Sequence, residues 1–330
     1  MFFQNQNDRP KTPQNAAFSN NSSLTFCVYK HTVIGVNKEH KRKEIDMRSV
    51  QAACIFAIMG VFPFYGALSE ETDAKLEKMI REMNNPTVRI VTSDKAQGSG
   101  SIIFSGYRSA AKGGSEFLSA ETCILTNYHI VKDSLRKSLK GLTNKSIRTH
   151  TGISVTVNLF EFGPTTDMIS ERSFSAALVA IDAKEDLALV CTRDAGVVPY
   201  VAALAPRGTK LRRNDSAWAV GSPLGLPPIL TEGRFAHTFP RAKAESEAIG
   251  TFWGSLATSP IFAGNSGGGL YQYSSLNKRY ELVAVTSGFP VSDVGNANYI
   301  VVSVTLEMIY RFLKESGYSF IIDAQNGVRE

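Results

Sequence analysis

The chain has 330 residues, of which 43% are hydrophobic and 26 are glycine, as expected of a folded, turn-rich protein with one large or two small domains. The formal net charge of +6 is modest, and we interpret the basic run after residue 131 as a solvated surface, so nucleic-acid binding is not expected. There is no HExxH motif, no pair of CxxC motifs and no phosphate-binding loop, so we expect neither a metal nor another cofactor.

The N-terminal region differs from the rest of the chain. Residues 1–46 are polar and basic and are predicted to be disordered. Residues 47–68 contain an apolar run, 50–68, that is long enough to contact or span a membrane. Two interpretations imply export: a retained anchor, or a signal peptide starting at Met47 and cleaved near Ala67. A buried helix of the folded domain remains a third. Both export interpretations place the rest of the chain outside the cytoplasm, as a periplasmic, secreted or membrane-anchored domain.

Secondary structure is predicted from the spacing of apolar residues. In the segment 69–85, Glu70–Met83 has apolar residues three and four positions apart, which predicts an amphipathic helix followed by a linker. Residues 87–302 consist of short apolar or alternating runs between turn residues, which is typical of all-β proteins. Val304–Glu315 returns to helical spacing, and 321–330 is interpreted as a tail.

Three residues could form a nucleophilic site. Ser266 lies in the glycine-lined turn Gly264–Gly269, which could expose the hydroxyl and leave N–H groups free for an oxyanion, although such a turn is also common in plain hairpins. A serine needs a base and an orienting carboxylate. His129, in an apolar run, is the candidate base, but a structural histidine would also fit there. Asp186 is the candidate carboxylate because an apolar strand follows it, and Asp182 is a competitor.

These motifs resemble those of chymotrypsin-fold serine proteases, and most closely the HtrA-type bacterial peptidases. In that branch a Leu-Thr-Asn strand end precedes the histidine, Asp-Leu-Ala begins a strand, and Gly-Asn-Ser-Gly-Gly surrounds the serine. The resemblance spans about residues 86–316 and includes further segments, namely Gln97–Ile103, Gly221–Leu226 with Thr231–Gly233, and Leu282–Gly288. The 57 residues from His129 to Asp186 exceed the expected spacing, so we expect an elaborated loop or an added hairpin within 133–174.

The resemblance implies the fold and the domain boundaries. We expect an all-β protease domain over 86–320, built from two six-stranded antiparallel β-barrels of the chymotrypsin type with an N-terminal and a C-terminal helix. The first barrel would cover about 86–200, the second about 211–302, and the C-terminal helix about 303–316. Many HtrA-type relatives continue into a PDZ domain, which we do not expect after this helix.

The resemblance also implies a catalytic mechanism and its residues. Ser266 would be the nucleophile of a serine endopeptidase, with His129 beside it as the base and Asp186 orienting the imidazole. The N–H groups of Gly264 and Ser266 would form the oxyanion hole. Pro260 and Ile261, together with the strand Thr286, Ser287 and Gly288, would bind a protein or peptide substrate. Neither segment contains an acidic residue, so we expect a small or apolar residue at the cleaved position. A non-catalytic binding or sensing module at the membrane is the alternative function.

The resemblance bears on the cysteines too. Cys123 lies six residues before His129, and Cys191 lies five after Asp186. In a chymotrypsin-like barrel the two strands that carry them run antiparallel side by side, which would bring the thiols to nearly the same level. We therefore expect a possible disulfide between Cys123 and Cys191, with two separate buried thiols as the alternative.

Overall fold

The computed structural model describes residues 72–112, 115–138, 147–148, 152–164, 167–246, 250–289, 291–292, 295–296 and 299–327. The predicted disordered region 1–46 and the apolar segment 47–68 lie outside these residues and stay predictions. Within the described ranges, no helix is both long enough and apolar enough to cross a membrane.

The first element is the predicted amphipathic helix. Helix α1 covers residues 72–79 and passes into a π-helical turn at Ile80–Asn84. Ile80 and Met83 are buried against the barrels, whereas Leu76, on the same predicted stripe, is exposed. The backbone N–H of Tyr280 donates to the carboxylate of Glu82 at 2.8 Å. Burial of one end of the stripe and this hydrogen bond attach the helix to the second barrel.

The first half of the domain closes into a barrel. The antiparallel strands occur in the spatial order β6-β5-β1-β2-β3-β7, and β7 pairs back onto β6, while β4 extends the sheet beside β6. Helix α2, Tyr128–Ser138, follows β3. The strands are β1 (Thr87–Val91), β2 (Gln97–Lys112), β3 (Ser115–Thr126), β4 (Ile147–Arg148), β5 (Ser154–Phe162), β6 (Met168–Asp182) and β7 (Leu187–Thr192).

The second half closes in the same way. Its antiparallel strands occur in the order β10-β15-β12-β11-β8-β9, with β9 pairing onto β10, and β13 and β14 form a separate two-stranded sheet. The strands are β8 (Ser216–Gly221), β9 (Ile229–Ser246), β10 (Gly250–Ala257), β11 (Gly269–Ser274), β12 (Arg279–Gly288), β13 (Val291–Ser292), β14 (Gly295–Asn296) and β15 (Val301–Thr305). The prediction of two six-stranded antiparallel barrels of the chymotrypsin type is confirmed.

The long segment between the histidine and the aspartate supplies parts of the first barrel. The predicted elaboration over 133–174 contains the end of α2, the short β4, all of β5 and the beginning of β6. Because β5 pairs with β1 on one side and with β6 on the other, it is a wall of the barrel. The segment 133–174 therefore includes the hairpin β5–β6, which is part of the six-stranded barrel itself.

The C-terminal part contains one more helix than the sequence predicted. Helix α3, Leu306–Glu315, matches the predicted helix, but the predicted tail over 321–330 is wrong, because α4 extends from Ser319 to Gly327. Ile321 of α4 is fully buried. The side-chain amide of Gln325 donates to the carbonyls of Ile103 and Ala202 at 2.8 and 3.0 Å. These contacts stabilise a helix whose sequence has no strong amphipathic pattern.

Strands β3 and β7 are joined covalently by the disulfide Cys123–Cys191, in which the Cα atoms are 4.2 Å apart. The two residues face each other directly in the antiparallel register of these strands. A disulfide between residues 68 positions apart reduces the conformational freedom of the unfolded chain. It links the strand that leads to His129 with the strand that follows Asp186.

Candidate active site

His129 lies just beyond the end of a strand. As the Leu-Thr-Asn motif indicated, β3 ends just before the histidine, at Thr126, and His129 lies in the first turn of α2. Two fully buried polar residues, Thr126 and Asn127, form the connection between the end of β3 and the start of α2. Thr126 donates its hydroxyl to the carbonyl of Ser99 at 2.7 Å, and the Asn127 side chain donates to the carbonyl of Asp186 at 2.8 Å. The Leu-Thr-Asn motif therefore fixes the backbone from which the imidazole projects.

Asp186 is the carboxylate beside the imidazole. Its Oδ2 and Oδ1 lie 2.8 and 3.0 Å from Nδ1 of His129, and the backbone N–H of His129 donates to Oδ1 at 2.9 Å. Asp186 is the last residue of a tight turn before β7 and has a φ of 56°, a conformation that aspartate tolerates better than most residues. Because a carboxylate only accepts, Nδ1 of a neutral ring carries its proton and Nε2 is left as the acceptor.

Asp182, the competing carboxylate, forms hydrogen bonds within the turn that precedes β7. Oδ1 of Asp182 accepts hydrogen bonds from the backbone N–H groups of Lys184 and Glu185 at 3.0 and 3.1 Å. This side chain therefore caps the turn that presents Asp186. Glu185, the residue before Asp186, has a buried side chain that forms an ion pair of 2.6 Å with Arg311 of α3.

The turn that carries Ser266 is held by backbone hydrogen bonds from both barrels. The N–H of Ser99, on β2 of the first barrel, donates to the carbonyl of Ser266 at 2.7 Å. The N–H of Gly267 donates to the carbonyl of Thr286, whose own N–H donates to the carbonyl of Gly268. Gly267 has a φ of 88°, and a Cβ there would overlap the carbonyl oxygen of Ser99. Glycine at this position therefore permits the close approach of the two barrels.

The three predicted catalytic residues are connected through Ser287. The Ser266 hydroxyl donates to the carbonyl of Ser287 at 2.9 Å, and the Ser287 hydroxyl donates to Oδ2 of Asp186 at 2.7 Å. Among the described residues no hydrogen bond joins Ser266 to His129. His129 is thus hydrogen-bonded directly to Asp186. The Ser266 hydroxyl is instead bonded to the carbonyl of Ser287, whose own hydroxyl is bonded to Asp186.

Two N–H groups of this turn are free within the described part of the chain. The amides of Gly264 and Ser266 have no hydrogen-bond partner there, whereas the amide between them, of Asn265, donates to the carbonyl of Phe262 at 3.0 Å. The carbonyl of Ala263 accepts from Leu224 at 2.8 Å. Because N–H and C=O point in opposite directions across a trans peptide, the Gly264 N–H is directed away from Leu224. The free amides are the two that were predicted for the oxyanion hole.

The predicted substrate-binding segments are only partly available to a substrate. Both backbone polar groups of Thr286 are bonded to Gly267 and Gly268, so the backbone of this residue is not available to pair with a substrate. Ser287 and Gly288, at the end of β12, are partly exposed. Pro260 is exposed, but the Ile261 side chain is 1% exposed and lies in the core of the second barrel.

Two roles at this site were not predicted from the sequence. Ser287 was expected to bind substrate, and its hydroxyl in addition contacts Asp186. Asn127 was noted only as part of a motif, and it holds the backbone of Asp186. The available signal was the polar character of residues at the ends of apolar runs. Buried polar side chains of this kind need hydrogen-bond partners, but the sequence does not show which groups supply them.

The crowding around Gly267 can be tested by adding one methyl group. Gly267→Ala requires a positive φ and places Cβ against Ser99 and Thr126, so we expect the free energy of unfolding to fall by about 3 kcal/mol or more. Gly288→Ala is the matched control, since no heavy atom lies within 4 Å of its Cβ position. Urea denaturation of both variants measures the difference. Equal stability of the two variants would contradict the described packing of the turn.

The chain is similar to known proteins in part of its sequence and in its fold. Residues 113–276 match the family described as the trypsin-like peptidase domain. A search of curated proteins found no match. Similar solved structures include the serine endoprotease from Yersinia pestis, at 17% identity and a TM-score of 0.46, with 73% of this chain and 66% of that one covered. An inactive form of Rv3671c from M. tuberculosis H37Rv has 17% identity and a TM-score of 0.45, with 73% and 91% covered.

A third similar structure is the HtrA-type protease AlgW with a tripeptide, at 18% identity and a TM-score of 0.47, with 74% of this chain and 63% of that one covered. The chain therefore spans less than two thirds of the Yersinia and AlgW proteins. The segment that matches the family contains His129, Asp186 and Ser266. The resemblance to trypsin-like serine proteases that the motifs predicted is confirmed.

Proposed function

We propose that the chain is a serine endopeptidase that hydrolyses peptide bonds of proteins through an acyl-enzyme. Ser266 is the nucleophile, His129 the general base and Asp186 the residue that orients the imidazole. The observation that carries the proposal is the paired contact of Asp186 with Nδ1 and the backbone N–H of His129. It leaves Nε2 as the acceptor that a serine hydroxyl needs.

The first chemical step needs the Ser266 hydroxyl to change its hydrogen-bond acceptor. Its hydroxyl leaves the carbonyl of Ser287 and donates to Nε2 of His129, a change that catalytic hydrogen bonds of unliganded enzymes commonly require. Oγ then attacks the scissile carbonyl carbon while the proton passes to Nε2. The imidazolium is stabilised by Asp186 and returns the proton to the leaving amine. Water repeats the sequence and releases the acyl group from Oγ.

The negative charge on the carbonyl oxygen is accepted by the free amides of the turn. Gly264 and Ser266 supply these two N–H groups, which are already oriented by the hydrogen bonds on either side of them. A donor held in place before the reaction costs no reorganisation during it, and each is worth about 3–4 kcal/mol of transition-state stabilisation.

The substrate is bound as an extended peptide beside the end of β12. The Ser287 carbonyl, once released by Ser266, accepts an N–H from the substrate, and Gly288 extends the same edge. The described residues of the segments 257–263 and 286–289 include no acidic side chain, and an unpaired charge in a pocket costs several kcal/mol. A small or aliphatic residue therefore fits the cleaved position, and a cleavage profile dominated by Lys or Arg would contradict this preference.

We also propose that the domain works outside the cytoplasm, exported or anchored in a membrane. The disulfide Cys123–Cys191 supports this location, because disulfides persist in oxidising compartments and are rare in the cytosol. Mass determination of the mature protein from its native host distinguishes a cleaved from a retained segment 47–68, and a cytosolic protein with free thiols would contradict the location.

Labelling by a fluorophosphonate probe tests the nucleophile. We expect Ser266 Oγ of the wild-type protein to form a bond to phosphorus with loss of fluoride, and peptide mapping should locate the adduct. Ser266→Ala should remain folded, remain unlabelled and lose about six orders of magnitude of peptidase activity. A folded wild-type protein that neither labels nor cleaves a peptide library would instead favour the non-catalytic binding module.

Exchanging one carboxylate for an amide tests the role of Asp186. Asp186→Asn removes the charge and permits the wrong imidazole tautomer, so kcat should fall by about 10⁴-fold. Asp182→Asn is the matched control, because its amide oxygen can still accept from Lys184 and Glu185, and kcat should change by less than about threefold. Peptide hydrolysis by both folded variants gives the comparison. A larger loss from Asp182→Asn would reverse the assignment.

A further inference from the structure

Ser99 joins the first barrel to the turn of the second barrel that carries Ser266. It lies on β2 and is fully buried. Its hydroxyl donates to the carbonyl of Gly264 at 2.6 Å and accepts from the N–H of Ser222 at 2.7 Å. Its backbone N–H donates to the carbonyl of Ser266, and its carbonyl accepts from Thr126. All of the polar groups of this residue are therefore bonded around the nucleophile.

The direction of the Ser99 hydroxyl proton is determined by its neighbours. The N–H of Ser222 can only donate, so the serine oxygen accepts from it, and the serine proton is left for the carbonyl of Gly264. This carbonyl belongs to the peptide plane between Gly264 and Asn265. The hydroxyl thus holds the plane on the C-terminal side of Gly264 together with the N–H of Asn265, which donates to the carbonyl of Phe262.

The peptide plane on the N-terminal side of Gly264, between Ala263 and Gly264, is held by the segment that contains Ser222. Leu224, two residues after Ser222, donates its N–H to the carbonyl of Ala263 at 2.8 Å, and that peptide contains the free Gly264 N–H. Gly264 has a φ of 101° and no side chain of its own to restrict rotation of its backbone. The orientation of its N–H depends on hydrogen bonds to the planes on both sides.

We propose that Ser99 is a positioning residue for the oxyanion hole, acting through the carbonyl of Gly264 without touching the substrate. The proposal rests on the endopeptidase function above and extends it to the first barrel. Without the hydroxyl, the carbonyl of Gly264 and the N–H of Ser222 lose their shared partner. Unpaired buried polar groups are costly, so the peptide rotates toward another partner and the Gly264 N–H leaves the oxyanion position.

The test compares two hydroxyl deletions on one strand. Ser101 lies two residues after Ser99 on β2 and is equally buried, but within the described ranges its hydroxyl forms no hydrogen bond to the turn that carries Ser266. We expect Ser99→Ala to lower kcat for a peptide amide by about 10- to 100-fold, with KM changed by less than about twofold, because the lost interaction acts in the transition state. Ser101→Ala should retain kcat within about twofold.

Two further measurements separate positioning from general destabilisation. The rate of fluorophosphonate labelling should fall in Ser99→Ala, because the phosphoryl oxygen occupies the same hole. Ser99→Cys keeps the shape of the side chain with a weaker donor, so its kcat should lie between those of wild type and Ser99→Ala even if the alanine variant folds poorly. The proposal is overturned if Ser99→Ala and Ser101→Ala lose equal activity, or if the loss appears in KM alone.

The failure of this proposal can be distinguished from failure of the endopeptidase function. A wild-type protein that neither labels nor cleaves contradicts the function, and the positioning role is then decided by crystal structures of wild type and Ser99→Ala. A rotated Gly264 carbonyl in the variant supports the positioning role. A carbonyl unchanged in orientation overturns it, whether or not the protein is active.

Discussion

The arrangement at the junction of the barrels depends on the carboxylate of Asp186. It accepts hydrogen bonds from Nδ1 and the backbone N–H of His129, and from the hydroxyl of Ser287. The first residue lies at the start of α2, and the second lies near the end of β12 in the other barrel. A charged acceptor forms stronger hydrogen bonds than a neutral one, so this one group sets both the imidazole and the edge of β12 in position. Because the Ser266 hydroxyl donates to the Ser287 carbonyl, its position also depends on the residue that is bonded to Asp186.

The turn that presents Asp186 is itself held from several sides. Asp182 caps it from within, and the Asn127 side chain holds the carbonyl of Asp186. Glu185 pairs at 2.6 Å with Arg311 of α3, and its side chain is only 4% exposed. Breaking a buried pair leaves an uncompensated charge, so the C-terminal helix is coupled energetically to the position of Asp186. The helix that follows the second barrel thus supports a residue of the first.

The apolar alternation predicted an all-β protein, and the resemblance carried by the short motifs implied the two barrels and the residues near the imidazole. The partners of buried polar groups could not be predicted in this way. Thr286 was expected to bind a substrate. Its backbone is instead bonded to the turn of Ser266, which is about twenty residues away in the chain. Ser99 looked like part of a glycine-rich strand, but its hydroxyl reaches Gly264 in the other barrel. Helix α4 was missed because its stability comes from contacts such as those of Gln325, rather than from an amphipathic repeat.

The carbonyl oxygen of Ser287 takes part both in the observed position of Ser266 and in the proposed binding of substrate. The Ser287 carbonyl holds the Ser266 hydroxyl at 2.9 Å, and in the proposed mechanism it accepts an N–H from the substrate. In the proposed mechanism the substrate N–H takes the place of the hydroxyl on this oxygen. Nε2 of His129 is then the acceptor left for the hydroxyl by the pairing of Nδ1 with Asp186. In the proposed mechanism, substrate binding and activation of Ser266 are in this way parts of one exchange of hydrogen bonds, in which the Ser266 hydroxyl and the Ser287 carbonyl each keep a partner.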